Sequence, residues 1–262
     1  MMEDLNTATA NQAWAETTVW WDISRCPVPG DVDAGRVVPF IKRLLKKLGY
    51  TGPLTIIVIG ILSEVPIYVL RAISSSGINL LEHIPTGTTY ISDRLWGCAW
   101  LDQPESNVML ISSQFVFGQR LETIARDVNV IGPLCPSDHP SLGSPFRGCL
   151  PWDTVLESIR ADSDGGDLEC SGTATFNCVA CTRADFSDFA VFAKHLHSDD
   201  HALEDLSSYR SMFKIPHSYF KKDISRIRRK LKRSRNCVAD DEREREAEFN
   251  EERERKAMYC FK

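Results

Sequence analysis

Two apolar runs on either side of an amphipathic segment constrain this chain more than any other feature. Thr17-Thr18-Val19-Trp20-Trp21-Asp22-Ile23 is β-branched and aromatic, and Leu54-Thr55-Ile56-Ile57-Val58-Ile59-Gly60 is almost continuously apolar. Such runs suit parallel strands covered on both faces. Between them, Asp31-Val32-Asp33-Ala34 offers a helix N-cap, apolar residues fall at Val37, Phe40, Ile41, Leu44, Leu45 and Leu48, and Gly49 stops the helix. The result is a βαβ unit. Further strands are expected near 79–84, 107–113 and 128–134. Helices are expected over Val65–Ser75, from Ser92-Asp93, after Gly118, and from Pro151-Trp152-Asp153, whose apolar face is Val155, Leu156 and Ile159. This alternation predicts an α/β fold, a three-layer α/β/α sandwich on a mostly parallel sheet.

The first run ends on a carboxylate, Asp22, and breaks at Cys26-Pro27-Val28-Pro29-Gly30. In an open α/β sheet, ligands gather outside the carboxyl ends of the strands. An aspartate there packs poorly but ligates metal well.

The order WWDISRCPVPG, a helix ending KKLGY, then GPLTIIVIG, together with MLIS at Met109–Ser112, resembles the plant NYN-domain proteins of the limkain (meiosis arrest female protein) type. The resemblance covers roughly residues 17 to 160. It implies a PIN-like fold, an endoribonuclease-like activity that depends on Mg²⁺ or Mn²⁺, and a part in RNA-linked regulation of gene expression. Hydrolysing a phosphodiester takes metal ions that polarise the phosphate and generate hydroxide. These ions prefer hard oxygen ligands, so several carboxylates must converge. Carried over by position, the first acid is Asp22 and the second, opening a mid-domain helix, is Asp93. The family's fourth-strand pattern, like LISGDxDF, reads Leu110-Ile111-Ser112-Ser113-Gln114-Phe115-Val116-Phe117 here. Its glycine is Ser113, and its two aspartates fall on Gln114 and Val116. Gln114 supplies no negative charge and Val116 supplies no ligand at all, so turnover is expected to be impaired or lost. Asp31, Asp33 and Glu64 are other acids expected near the same edge.

Downstream, Cys178 and Cys181 followed by His195 and His201 give C-x₂-C-x₁₃-H-x₅-H. Two thiolates in a knuckle turn and two imidazoles from a helix end make a tetrahedral Zn²⁺ set. Phe186, Phe189, Phe192 and Leu196 supply a small apolar core, too small to fold without a metal. His197 is a rival ligand, one residue from His195 and therefore poorly placed. The unit resembles C2H2 fingers with a five-residue histidine spacer, some of which bind double-stranded RNA. Its spacer, Leu196-His197-Ser198-Asp199-Asp200, lacks the basic residues a phosphate binder wants. An RNA-binding finger and a structural or protein-binding finger both stay open.

In the tail, residues 221–235 hold nine Lys/Arg and one acid, with Lys222, Arg226, Arg229 and Arg233 as candidate RNA contacts. Residues 240–256 invert the sign, with nine acids and five bases. The basic run reads equally as a phosphate-tracking, nuclear-import or membrane-surface helix, or as a solvated helix paired with the acidic segment. Residues 1–160 carry 12 basic and 16 acidic side chains, and 161–262 carry 19 and 20. Any nucleic-acid affinity therefore belongs to local patches, and protein partners are equally open.

The expected organisation is a flexible N-terminus at 1–16, an NYN domain at 17–160, a Gly-rich acidic linker at 161–175, the finger at 176–205 and a charged helical or disordered tail at 206–262. No apolar stretch reaches membrane-spanning length and the polar start is no signal peptide. Nine cysteines, an odd number, argue for a reducing intracellular compartment, cytoplasm or nucleus. Family resemblance alone adds peroxisomes, although Cys260-Phe261-Lys262 is not an SKL-type tripeptide. Cys26, Cys98, Cys135 and Cys149 have no ligand spacing and read as ordinary buried thiols.

Overall fold

The computed structural model describes residues 5–84, 106–112, 128–135, 150–161, 174–181 and 183–213. Asp93, Gln114, Val116 and the basic run with Lys222, Arg226, Arg229 and Arg233 lie outside the described residues. So do the helices expected from Ser92 and after Gly118.

The strands are β1 (Thr17–Asp22), β2 (Leu54–Gly60), β3 (Leu80–His83), β4 (Asn107–Ile111), β5 (Asn129–Cys135), β6 (Leu150–Pro151), β7 (Thr175–Cys178) and β8 (Arg183–Phe186). They form one sheet in the order β6-β5-β4-β1-β2-β3-β7-β8. Every described pairing is parallel except β7 with β8. This is the mostly parallel α/β fold that the sequence predicts.

Helix α1 spans Ala10–Trp14. The crossovers β1-to-β2 and β2-to-β3 carry α2 (Val37–Lys47) and α3 (Ile67–Ser74). The face of α2 toward the interior is Val37, Val38, Ile41, Leu44 and Leu45, as the helical spacing requires. Gly49, at φ +91°, ends α2 in the left-handed region. There its N–H donates to the Lys46 carbonyl (3.1 Å) and the Tyr50 N–H to the Leu45 carbonyl (3.0 Å). Helix α4 (Trp152–Ala161) follows β6 and buries Trp152, Val155, Leu156 and Ile159. The first compact unit ends with α5 (Phe189–Leu196), and the described part of the second, residues 197–262, is dominated by α6 (Asp199–Phe213). None of the described helices is long and apolar enough to cross a membrane.

Two features depart from the sequence expectation. Residues 5–16, expected to be flexible, are tied to the sheet. Leu5 is buried, the Asn6 N–H donates to the Ile131 carbonyl (3.0 Å) and the Ala8 N–H to the Leu48 carbonyl (2.9 Å). Asn107, fully buried at the start of β4, donates to the carbonyl of Gln12 (2.8 Å), and its Oδ1 accepts from Asn129 (2.8 Å). A polar segment is ordered here because one buried amide needs its carbonyls. The second departure is β7. It begins at the last residue of the expected linker and pairs with β3, Leu81 opposite Phe176 and His83 opposite Cys178. The cysteine/histidine hairpin thus continues the central sheet.

Candidate functional site

The strand order reverses between β1 and β4: β2 and β3 run out on one side of β1, and β4, β5 and β6 on the other. A crevice opens at such a switch point, outside the carboxyl ends of the strands. Asp22 is the last residue of β1 and Ser112 follows the last residue of β4. They meet there, with the Ser112 hydroxyl donating to Asp22 Oδ2 at 3.0 Å. The other oxygen, Oδ1, accepts the Arg25 backbone N–H at 3.2 Å. Asp22 is only 4% exposed. Burial raises its pKa from 3.8 to about 6, against the smaller opposing pull of the Ser112 hydrogen bond and the Arg25 charge. A buried carboxylate with few donors resists ionising.

The loop after β1 is clamped by two indoles. Trp21 Nε1–H donates to the Cys26 carbonyl and Trp152 Nε1–H to the Pro27 carbonyl, both at 2.9 Å. The two rings lie 5.6 Å apart. Gly60, ending β2, allows this loop to approach, since a Cβ there would meet Ser24 Oγ at 2.6 Å. Cys26 is fully buried, as expected, and its thiol pKa is pushed up by burial and then by the charges of Asp22 and Asp153.

Asp153, exposed in the first turn of α4, therefore lies near the same edge, and sequence reasoning did not single it out. Nor did it single out Glu82. Register places Asp22, Ile59, Glu82 and Asn177 in one row across four strands, on one face of the sheet. Glu82 is fully buried and accepts from Asn177 Nδ2 at 2.9 Å. Two strand spacings, about 10 Å, separate its backbone from that of Asp22. A single Glu among apolar strand residues carries no sequence signal of its register.

The other candidates are occupied elsewhere or exposed. Asp31 pairs with Arg160 on the surface (2.9 Å), and Asp33 accepts the Gly35 N–H (2.9 Å) to start a 3-10 turn. Glu64 is exposed. Among the described residues, the switch-point crevice holds one buried carboxylate, Asp22.

The second site is the cysteine/histidine cluster. The Cys178-Val179-Ala180-Cys181 knuckle leaves β7, while α5 carries His195 and α6 carries His201. One ligand atom from each of Cys178, Cys181, His195 and His201 lies within 4.8 Å of all the others. Tetrahedral Zn²⁺, with bonds of about 2.0–2.3 Å, needs donors about 3.3–3.8 Å apart, a small contraction from this. An S₂N₂ donor set of this kind selects zinc or a similarly soft ion over Mg²⁺. The donor chemistry fits. Phe176 stacks on Phe192 (5.4 Å), Phe186 packs on Phe192 (5.3 Å) and on the His195 ring (4.9 Å). This aromatic core fixes α5 over the hairpin.

Compared with known families, residues 16–140 match the NYN domain. No curated protein matches the chain.

Proposed function

We propose, starting from the NYN domain at residues 16–140, that this protein engages RNA through a nuclease-like fold whose hydrolytic step is crippled. NYN domains are a PIN-like nuclease family, which supports an RNA-related role. The observation that carries the reading is Asp22. It sits at the switch point with a hydroxyl on one oxygen and a backbone N–H on the other, and burial holds its pKa at about 6. Near neutrality the carboxyl is mostly charged, but burial makes that charge costly, and among the described residues no second buried carboxylate joins it in the crevice. Gln114 and Val116, at the positions where the family resemblance would place aspartates, withhold two further charges.

Bound Mg²⁺ or Mn²⁺ would supply a polarised phosphate and a metal-activated water, with Asp22 and Asp93 as the acids to hold it. What this chain's own residues do is narrower. Ser112 orients the Asp22 carboxylate, and the indole-clamped loop shields it from water. The Cys178, Cys181, His195 and His201 set serves as a zinc finger, and Lys222, Arg226, Arg229 and Arg233 track phosphates. The role is RNA-linked regulation of gene expression in the cytoplasm or nucleus.

RNA binding and RNA cleavage are measured together on the full chain. The expected result is binding that weakens steeply with salt, without Mg²⁺- or Mn²⁺-dependent cleavage. Cleavage that disappears in Asp22→Ala would mean a working nuclease instead, and absence of RNA binding at low salt would remove the RNA role.

A further inference from the structure

We infer that the metal cluster is a clamp on the NYN sheet, holding β7 along the outer edge of β3, so that metal occupancy sets the stability of that edge. The inference rests on the zinc reading of Cys178, Cys181, His195 and His201 and goes beyond it. A finger joined by a linker would fold and act separately; this one shares a strand with the domain before it.

Cys178 and its neighbour join the two structures. Cys178 is the last residue of β7, is buried and stands opposite His83. The next residue, Val179, donates its N–H to the His83 carbonyl at 3.0 Å. One residue thus offers its thiolate to the metal while its successor is bonded to the sheet. At the other end of the strand the Thr175 N–H donates to the Asn79 carbonyl at 2.9 Å.

Within a strand, a residue's N–H and C=O point toward the same neighbour, and successive residues alternate sides. The Ile84 N–H points to β2, donating to the Gly60 carbonyl. The amides of His83 and Leu81 therefore face β7. If the hairpin leaves, those groups lose their partners on a bare edge. Glu82, fully buried, loses the Asn177 amide that donates to it. His83, also fully buried, accepts the Leu62 N–H on Nδ1 at 3.0 Å, so disturbance at β3 reaches the turn after β2.

The hairpin brings little apolar core of its own to this position. Its strands are four residues each, and its core is the small aromatic group Phe176, Phe186, Phe189 and Phe192. Units of this size depend on a metal to fold. The NYN match ends at residue 140, yet the sheet continues through β7 and β8. The clamp therefore supplies the domain's edge from outside its matched segment.

Amide hydrogen exchange on the full-length protein tests this. Exchange is followed with zinc bound, after zinc is withdrawn by a chelator, and after zinc is returned, with metal content measured in each state. The expected result is one zinc per chain and, on withdrawal, exchange at Leu81 and His83 faster by about tenfold or more, the scale of a lost backbone hydrogen bond. Added zinc should restore protection. Accelerated exchange that spreads to Val19 and Trp21 on β1 also supports the clamp, because the edge then holds the whole sheet. Zinc withdrawal that leaves Leu81 and His83 unchanged overturns the clamp while leaving the zinc reading intact. A chain that never binds zinc overturns both. Cys181→Ser, at the less buried knuckle cysteine, gives a second readout: reduced zinc content with the same loss of β3 protection is expected, and unaltered protection contradicts the clamp.

Discussion

Replacing Asp22 by Asn should make the protein more stable at neutral pH and slightly less stable in acid. The folded protein raises this carboxyl from 3.8 to about 6, so ionising it costs about 3 kcal/mol more in the folded state than in the unfolded chain. Because the folded pKa is the higher one, the native state holds a proton between pH 4 and 6 that the unfolded chain has released. Stability therefore falls as pH rises through that window, then levels off above the folded pKa. Asn cannot ionise and escapes this fall. Its Oδ1 still accepts the Ser112 hydroxyl, which now donates to Asp22 at 3.0 Å. Its NH₂, however, meets the Arg25 N–H, which now donates to Oδ1 at 3.2 Å, at a cost of about 1 kcal/mol. The net expectation is a gain of about 2 kcal/mol at pH 7.5 and a loss of about 1 kcal/mol at pH 4 or below. Denaturant unfolding of both proteins from pH 4 to 8 measures it. Every other titrating group is common to both proteins, so the difference between them isolates Asp22. A difference that stays flat from pH 4 to 8 would refute the buried-carboxyl argument.

Other perturbations follow from the same geometry. Ser112→Ala removes the donor to the charged carboxylate, so about 1.5–3 kcal/mol should be lost at pH 8 and less below pH 4, where the acid is neutral; the same pH series of unfolding curves reads it. Asn107→Ala removes the amide bonded to Gln12 and Asn129. Its cost should be about 2–4 kcal/mol, with faster amide exchange at Asn6 and Ala8 as the N-terminal segment detaches.

The central strands were legible because they are buried on both faces. Runs such as Leu54–Gly60 leave no polar face to confuse the pattern, and the expected strand near 79–84 is observed at Leu80–His83. Gly49 was readable as a helix stop because only its positive φ permits that turn. The pairing of β7 with β3 was not readable. Thr175-Phe176-Asn177-Cys178 is four residues long, and a parallel partner about 95 residues away leaves no local periodicity. The spacing of Cys178, Cys181, His195 and His201 did announce a cluster, since ligand geometry is local; its attachment to the sheet is not. The N-terminal segment misled for a related reason. Its polar residues looked solvated, whereas its backbone carbonyls satisfy Asn107 inside the sheet edge. Glu82 and Asp153 were missed because their positions beside the Asp22 edge depend on register and on the placement of α4.

The most direct test is a single-turnover assay of RNA cleavage with Mn²⁺ at pH 7.5, comparing the native chain with Asp22→Asn at matched concentrations. The account predicts that both bind RNA and neither cuts it. Manganese-dependent cutting by the native chain that the Asn variant abolishes would contradict it, showing that enough charge does gather around Asp22 to run the reaction.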